Sequence, residues 1–197
     1  MRNRIARIVS ILGHPLLVLP AALTLPAALR NDDPQALRWM LAGFALFAAL
    51  VLGGAWLQVR RGRWAHVDAS EPSERRSLNR VLWIALVVGA VAAWRGLPAP
   101  DLGLTLALSA VIVSLAMLTV RACKLSLHVA FSVFAAGLLW SWGIAAVAAG
   151  LAFAATVGWS RLHLGRHRPR DLVAGAGAGA LASLLYWPAL HGLRISP

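Results

Sequence analysis

Ser160-Arg161-Leu162-His163-Leu164-Gly165-Arg166-His167-Arg168-Pro169-Arg170-Asp171 is a short polar island between two long apolar runs. His167 and Asp171 stand four positions apart, so a helix starting here would carry both on one face. An imidazole held by a carboxylate is an oriented base or nucleophile. Two more islands carry comparable side chains. The connector 60–80 holds His66, Asp68, Glu71, Glu74, Arg75, Arg76 and Arg80, and the segment 121–128 holds Cys123, Lys124, Ser126 and His128.

The elements that must position these groups are apolar. Of 197 residues, 59% are hydrophobic and the mean hydropathy is +0.71, enough material for several bilayer spans of about 20 residues each. A helix satisfies its own backbone hydrogen bonds in lipid. The expected fold is therefore all-α, a polytopic transmembrane helical bundle forming a single domain of about six to seven spans. Their approximate ranges are 8–29, 36–59, 79–95, 102–120, 127–141, 143–159 and 171–190.

The first run follows Arg2, Arg4 and Arg7, as a signal peptide would, and Ala27-Ala28 offers a cleavage site. Its length, and its interruption by His14, Pro15, Pro20 and Pro26, favour a retained, kinked helix. His14 reads as a packed or backbone-bonded residue. Asp33 before Pro34 is a helix-start signal. In the last run, Gly175, Gly177 and Gly179 give a small-residue face for close helix contact, and Tyr186, Trp187 and His191 suit an interface belt.

Charge sorts by crossing parity. Two spans separate the 60–80 connector from the 121–128 island, and two more separate that island from 160–171, so all three face one side. The intervening connectors are nearly neutral. Arg2, Arg4, Arg7, Arg60, Arg61 and Arg63 share the basic face, which the positive-inside rule makes cytoplasmic. A formal charge of +12 is thus no sign of nucleic-acid binding, because the basic residues sit in short connectors and not along one soluble face. Cys123 is the sole cysteine, which excludes an intramolecular disulfide.

Ser160-Arg161, five residues, His167, three residues, Asp171 resembles the third signature of the type 2 phosphatidic acid phosphatase superfamily, which also includes vanadium haloperoxidases. By residue frequencies such a match arises by chance in about one chain per thousand of this length. Ser126-Leu127-His128 resembles the second signature, normally Pro-Ser-Gly-His, with Leu125 and Leu127 in place of Pro and Gly. The first signature, Lys, six residues, Arg-Pro, is met only by Asp68, six residues, Arg75-Arg76. The resemblance covers about 68–171 and implies a helical core shared with that superfamily.

The resemblance implies a role for each matching residue. His167 would attack phosphorus and become a phosphohistidine, with Asp171 orienting its far ring nitrogen. His128 would protonate the leaving oxygen and later activate water. Arg75 and Arg161 would hold phosphate oxygens. Ser126, where a helix begins, would offer its hydroxyl and nearby N–H groups to an oxygen. No metal or other cofactor enters this scheme. Lys124, the chain's only lysine, either replaces the missing first-signature lysine or is a juxtamembrane anchor. Asp68 either orients Arg75 or Arg76 or is a turn residue. His66 and His163 read as interfacial, Arg168 and Arg170 as topology signals, and Arg166 is left open.

The implied activity is metal-independent hydrolysis of a lipid phosphate at a bacterial-type inner membrane. Phosphatidate, phosphatidylglycerophosphate and isoprenoid phosphates or diphosphates all fit, and the partners are that lipid and the bilayer. The competing reading is a non-enzymatic transporter or scaffold whose arginines only bind anionic lipid. Oligomeric state is not legible.

Overall fold

Long apolar runs without alternating polarity have one way to close their backbone hydrogen bonds locally, and each of them is helical. The computed structural model describes residues 2–29, 33–64, 72–96 and 100–195. Among these there is no strand. The helices are α1 (Arg2–Leu12), α2 (Pro15–Leu29), α3 (Pro34–Arg60), α4 (Pro72–Gly96), α5 (Pro100–Leu118), α6 (Leu127–Leu138), α7 (Ile144–His163) and α8 (Pro169–Ile195). Short 3-10 turns extend α5 and α6. His66 and Asp68 lie outside the described residues.

Helix starts follow local chemistry. Asp33 caps α3, its Oδ1 accepting the Gln35 N–H at 2.9 Å with Pro34 at the first position. The first run is broken at Gly13-His14, where α1 and α2 meet at 57°. Pro15 disfavours the helical conformation at the residue before it. Pro20 and Pro26 lie within α2 without ending it. Hydroxyls inside the apolar helices bond back one turn, as Thr24 does to the Pro20 carbonyl at 2.7 Å and Thr105 to that of Asp101 at 2.7 Å.

Five helices, α3, α4, α5, α7 and α8, are long and apolar enough to cross a membrane, and the bent α1–α2 pair makes a sixth if counted as one span. The most telling is α3. Its apolar window is only 6% buried, and Trp39, Leu46 and Leu50 stand more than 60% exposed. Water would oppose that surface and hydrocarbon would accept it. The protein is membrane-embedded.

The expected span at 127–141 differs from the others. The α-helical part of α6 is 12 residues, about 18 Å against a hydrocarbon core of about 30 Å. It is instead the most enclosed element, packed by α2, α5, α7 and α8, with Phe131 and Phe134 wholly buried. Glycine makes this close packing possible. A Cβ on Gly175 would lie 2.6 Å from the Ser126 carbonyl oxygen, and one on Gly179 would collide with that of Ala130. Gly177 faces open space, so the small-residue face has two glycines and not three. Tyr186 belongs to this core and not to an interface belt: it is 3% exposed and meets Phe134 edge to face. The Trp187 indole N–H donates to the Gly137 carbonyl at 3.0 Å.

Candidate active site

The chain reverses after α7 in a Schellman turn. Gly165 N–H donates to the Leu162 carbonyl at 2.9 Å and Arg166 N–H to that of Arg161 at 3.0 Å. Gly165 takes φ +64°, which glycine adopts without strain. The turn returns His167 toward the end of α7. Helix α8 begins only at Pro169, so His167 precedes it. The pair is four apart in sequence but does not share a helix face, a correction to the expected arrangement. Proline sets that boundary: it suits a first helical position and pushes the residue before it out of helical conformation.

Asp171, third in the helix, reaches back. Its Oδ2 accepts the Arg168 N–H at 2.9 Å, half of a capping box. Its Oδ1 accepts the Lys124 N–H at 3.0 Å, and its own carbonyl accepts the Ser126 N–H at 3.0 Å. One residue therefore ties the 124–126 loop to the start of α8. The carboxylate is 3.6 Å from His167 Nδ1, beyond hydrogen-bonding distance. What holds the ring is the Lys124 carbonyl, 3.1 Å from Nδ1. Both neighbours of Nδ1 are acceptors, so Nδ1 carries the proton and Nε2 keeps its lone pair. The hydrogen bond expected from Asp171 to the ring is made instead by main chain.

His167 lines a cavity of about 510 Å³. His128, Arg75, Arg161, Lys124 and Arg166 line it too, from α6, α4, α7 and the two loops. The three islands do converge. Apolar side chains line it as well, Val51, Leu52 and Ala55 of α3, Leu78 and Leu82 of α4 and Met117 of α5, with Arg76, Asn79 and Arg80 of α4 among them. Burial, then the charges of Arg161 and Lys124, pull His167 down to about 4, with Asp171 pulling the other way. Burial, then Arg75 and Arg161, also lower Lys124 below the usual lysine range.

Ser126 is placed differently from expectation. It precedes α6 as its N-cap, yet it is 0% exposed and its hydroxyl makes no hydrogen bond. The cavity wall includes Leu125 and Leu127 but not Ser126. It backs the site because Gly175 of α8 presses on its carbonyl. Lys124 Nζ donates to the Arg166 carbonyl at 3.1 Å while the residue lines the cavity.

Comparison with family models, with curated proteins and with solved structures finds no match. The geometry alone bears on function.

No sequence signal marks Ser10, and the packed or backbone-bonded reading of His14 is right but omits its place on the cavity wall. Ser10 of α1 accepts from Arg161 Nη1 at 2.8 Å, and His14 lines the cavity with its ring 5.1 Å from that of His128. Neither carries a motif that marks it. His163, by contrast, is exposed, stacked on Trp159 and 2.9 Å from Asn3 Oδ1, which leaves it on the surface as read. Among the described residues no three His, Cys, Asp or Glu side chains are grouped to hold a metal ion.

Proposed function

We propose that the protein is a membrane-embedded phosphatase that hydrolyses a phosphate monoester or diphosphate of a lipid through a phosphohistidine. The observation that carries this reading is the His167 ring. It lines a cavity shared by cationic and apolar side chains, and its Nδ1 is bound to main chain, which leaves Nε2 as the nucleophilic nitrogen. A phosphate headgroup suits the cationic groups and an acyl or isoprenoid chain the apolar ones.

In the proposed reaction, Nε2 attacks phosphorus as the bond to the leaving oxygen breaks. His128 gives that oxygen a proton, and the incoming phosphate's negative charge favours the protonated state that this needs. Arg75, Arg161 and Lys124 hold the non-bridging oxygens and offset their charge. The phosphorylated ring is cationic while Nδ1 keeps its proton, and the Asp171 carboxylate at 3.6 Å opposes that charge. Neutral His128 then takes a proton from water, the hydroxide oxygen bonds to phosphorus, and the N–P bond breaks to return neutral His167. Phosphatidate, phosphatidylglycerophosphate and isoprenoid phosphates are the candidate substrates, and the basic connectors favour a bacterial-type inner membrane with the site cytoplasmic.

The test is phosphate release from a panel of these lipids by purified protein, with His167→Ala and His128→Ala alongside. Release that depends on His167, with an acid-labile phosphoprotein trapped at that residue, is expected. Equal release by wild type and His167→Ala on every substrate overturns the mechanism as written, and release from neither favours a protein that only binds anionic lipid. Labelling an engineered cysteine in 60–80 from each side, in a Cys123→Ala background, tests the sidedness.

A further inference from the structure

The break between α1 and α2 brings a third histidine to the cavity. His14 precedes Pro15, and its Nδ1 accepts the Leu16 N–H at 3.2 Å, the service that an N-cap oxygen gives to other helices. A ring nitrogen that accepts carries no proton, so the neutral ring bears it on Nε2. His14 thus has the tautomer opposite to that of His167. Its ring meets His128 at 87° with centroids 5.1 Å apart, and both rings line the cavity.

The position of His14 is fixed from several sides. A Cβ on Gly13 would collide with the Val157 side chain of α7. Gly13 N–H donates to the Val9 carbonyl at 2.8 Å and His14 N–H to that of Ile11 at 3.0 Å. One turn earlier, Ser10 is tied to Arg161. The broken helix is therefore locked to the same α7 end that supplies Arg161. His128 has this ring as an edge-to-face neighbour on the cavity wall.

Resting on the phosphatase reading, we propose that His14 is a positioning residue for His128. Its ring contact sets the plane of the His128 imidazole, so that the proton given to the leaving oxygen, and later taken from water, travels along a fixed direction. The helix-capping role and the ring-contact role separate by substitution. His14→Asn keeps a side-chain acceptor for Leu16 N–H and removes the ring. His14→Phe keeps a ring and removes the acceptor.

The experiment measures kcat, KM and thermal midpoint for both variants, each also in a His128→Ala background, on one long-chain lipid phosphate. His14→Asn is expected to melt like wild type and lose about tenfold in kcat with KM little changed, a fraction of what a general acid supplies. His14→Phe is expected to melt lower and recover most of that kcat. In the His128→Ala background, His14→Asn has no further effect, because the two act as a unit. Wild-type kcat in His14→Asn, or losses that multiply in the double variant, overturns the proposal while leaving a His167-dependent phosphatase standing. Wild-type release that does not depend on His167 removes the phosphohistidine mechanism, and this role with it.

Discussion

An imidazole that attacks phosphorus must be neutral, and His167 is held neutral by its surroundings. Burial and the two cations bring it to about 4, whereas an unperturbed histidine titrates at about 6.5. At pH 5 the first value leaves roughly 90% of the ring neutral and the second about 3%, a difference of about 30-fold in competent nucleophile. The sign follows from burial first and then from the charges: the buried site disfavours the imidazolium and Arg161 and Lys124 repel it, so the folded chain resists protonation more than the unfolded one. This contribution to stability is full above pH 6.5 and is lost as pH falls through about 4. The perturbation is acidification, with Lys124→Met removing one of the repelling charges and so raising the midpoint. Imidazole 15N spectra in detergent micelles follow the ring directly, with His167→Gln identifying its signal. The kcat/KM for phosphate release at pH 5 and pH 7, which reports the free enzyme, follows the consequence. A wild-type midpoint at or above 6.5, or a midpoint lowered by Lys124→Met, refutes the electrostatic reasoning.

Other expectations concern the scaffold. Asp171→Asn places an amide N–H₂ against one of two backbone donors, so the thermal midpoint should fall as about 1–3 kcal/mol is lost with an unpaired buried donor. In that variant the Lys124 carbonyl still accepts from His167 Nδ1, so the imidazole 15N spectrum should retain the Nδ1–H tautomer; a switch to Nε2–H contradicts this. Gly179→Leu forces a side chain against the Ala130 carbonyl of α6 and should cost about 1–3 kcal/mol or more, read as a lower melting temperature. Gly177→Leu, facing open space, should melt within a degree or two of wild type. Lys124→Met, beyond its effect on His167, should raise KM for a lipid phosphate several-fold if the ammonium holds phosphate; an unchanged KM makes it an anchor.

What the sequence disclosed was the part of the site written in side-chain identity. His167, His128, Arg75, Arg161 and Lys124 were legible as polar residues at the ends of apolar runs; the cavity they line brings them together, whereas the count of crossings rested on a span at α6 that its 12 residues are too few to make. The helical fold was legible from the same runs, and Asp33-Pro34 marked the start of α3 correctly. The partners of Asp171 were not legible, because three of them are backbone N–H groups, and any non-proline residue supplies one. The place of His14 on the cavity wall was hidden for a different reason. Its value lies in a bend and in the packing of α1 on α7, neither of which has a local signature beyond the Gly-His-Pro break. The brevity of α6 was equally obscure: an apolar run looks alike whether it faces lipid or is enclosed by neighbouring helices, and Tyr186 was misread on the same ground.

The bonds around Asp171 have a consequence for how this site can change over time. Its carboxylate reads the chain at 124 and 168 through N–H groups alone, and its carbonyl reads 126 in the same way. Those three positions must not become proline, yet this anchor imposes no further demand on which residues they are. The loop and the helix start can thus drift through many side chains while the distance from His167 to its neighbours stays put. Two chains built on this anchor would share a three-dimensional arrangement while spelling it with different letters.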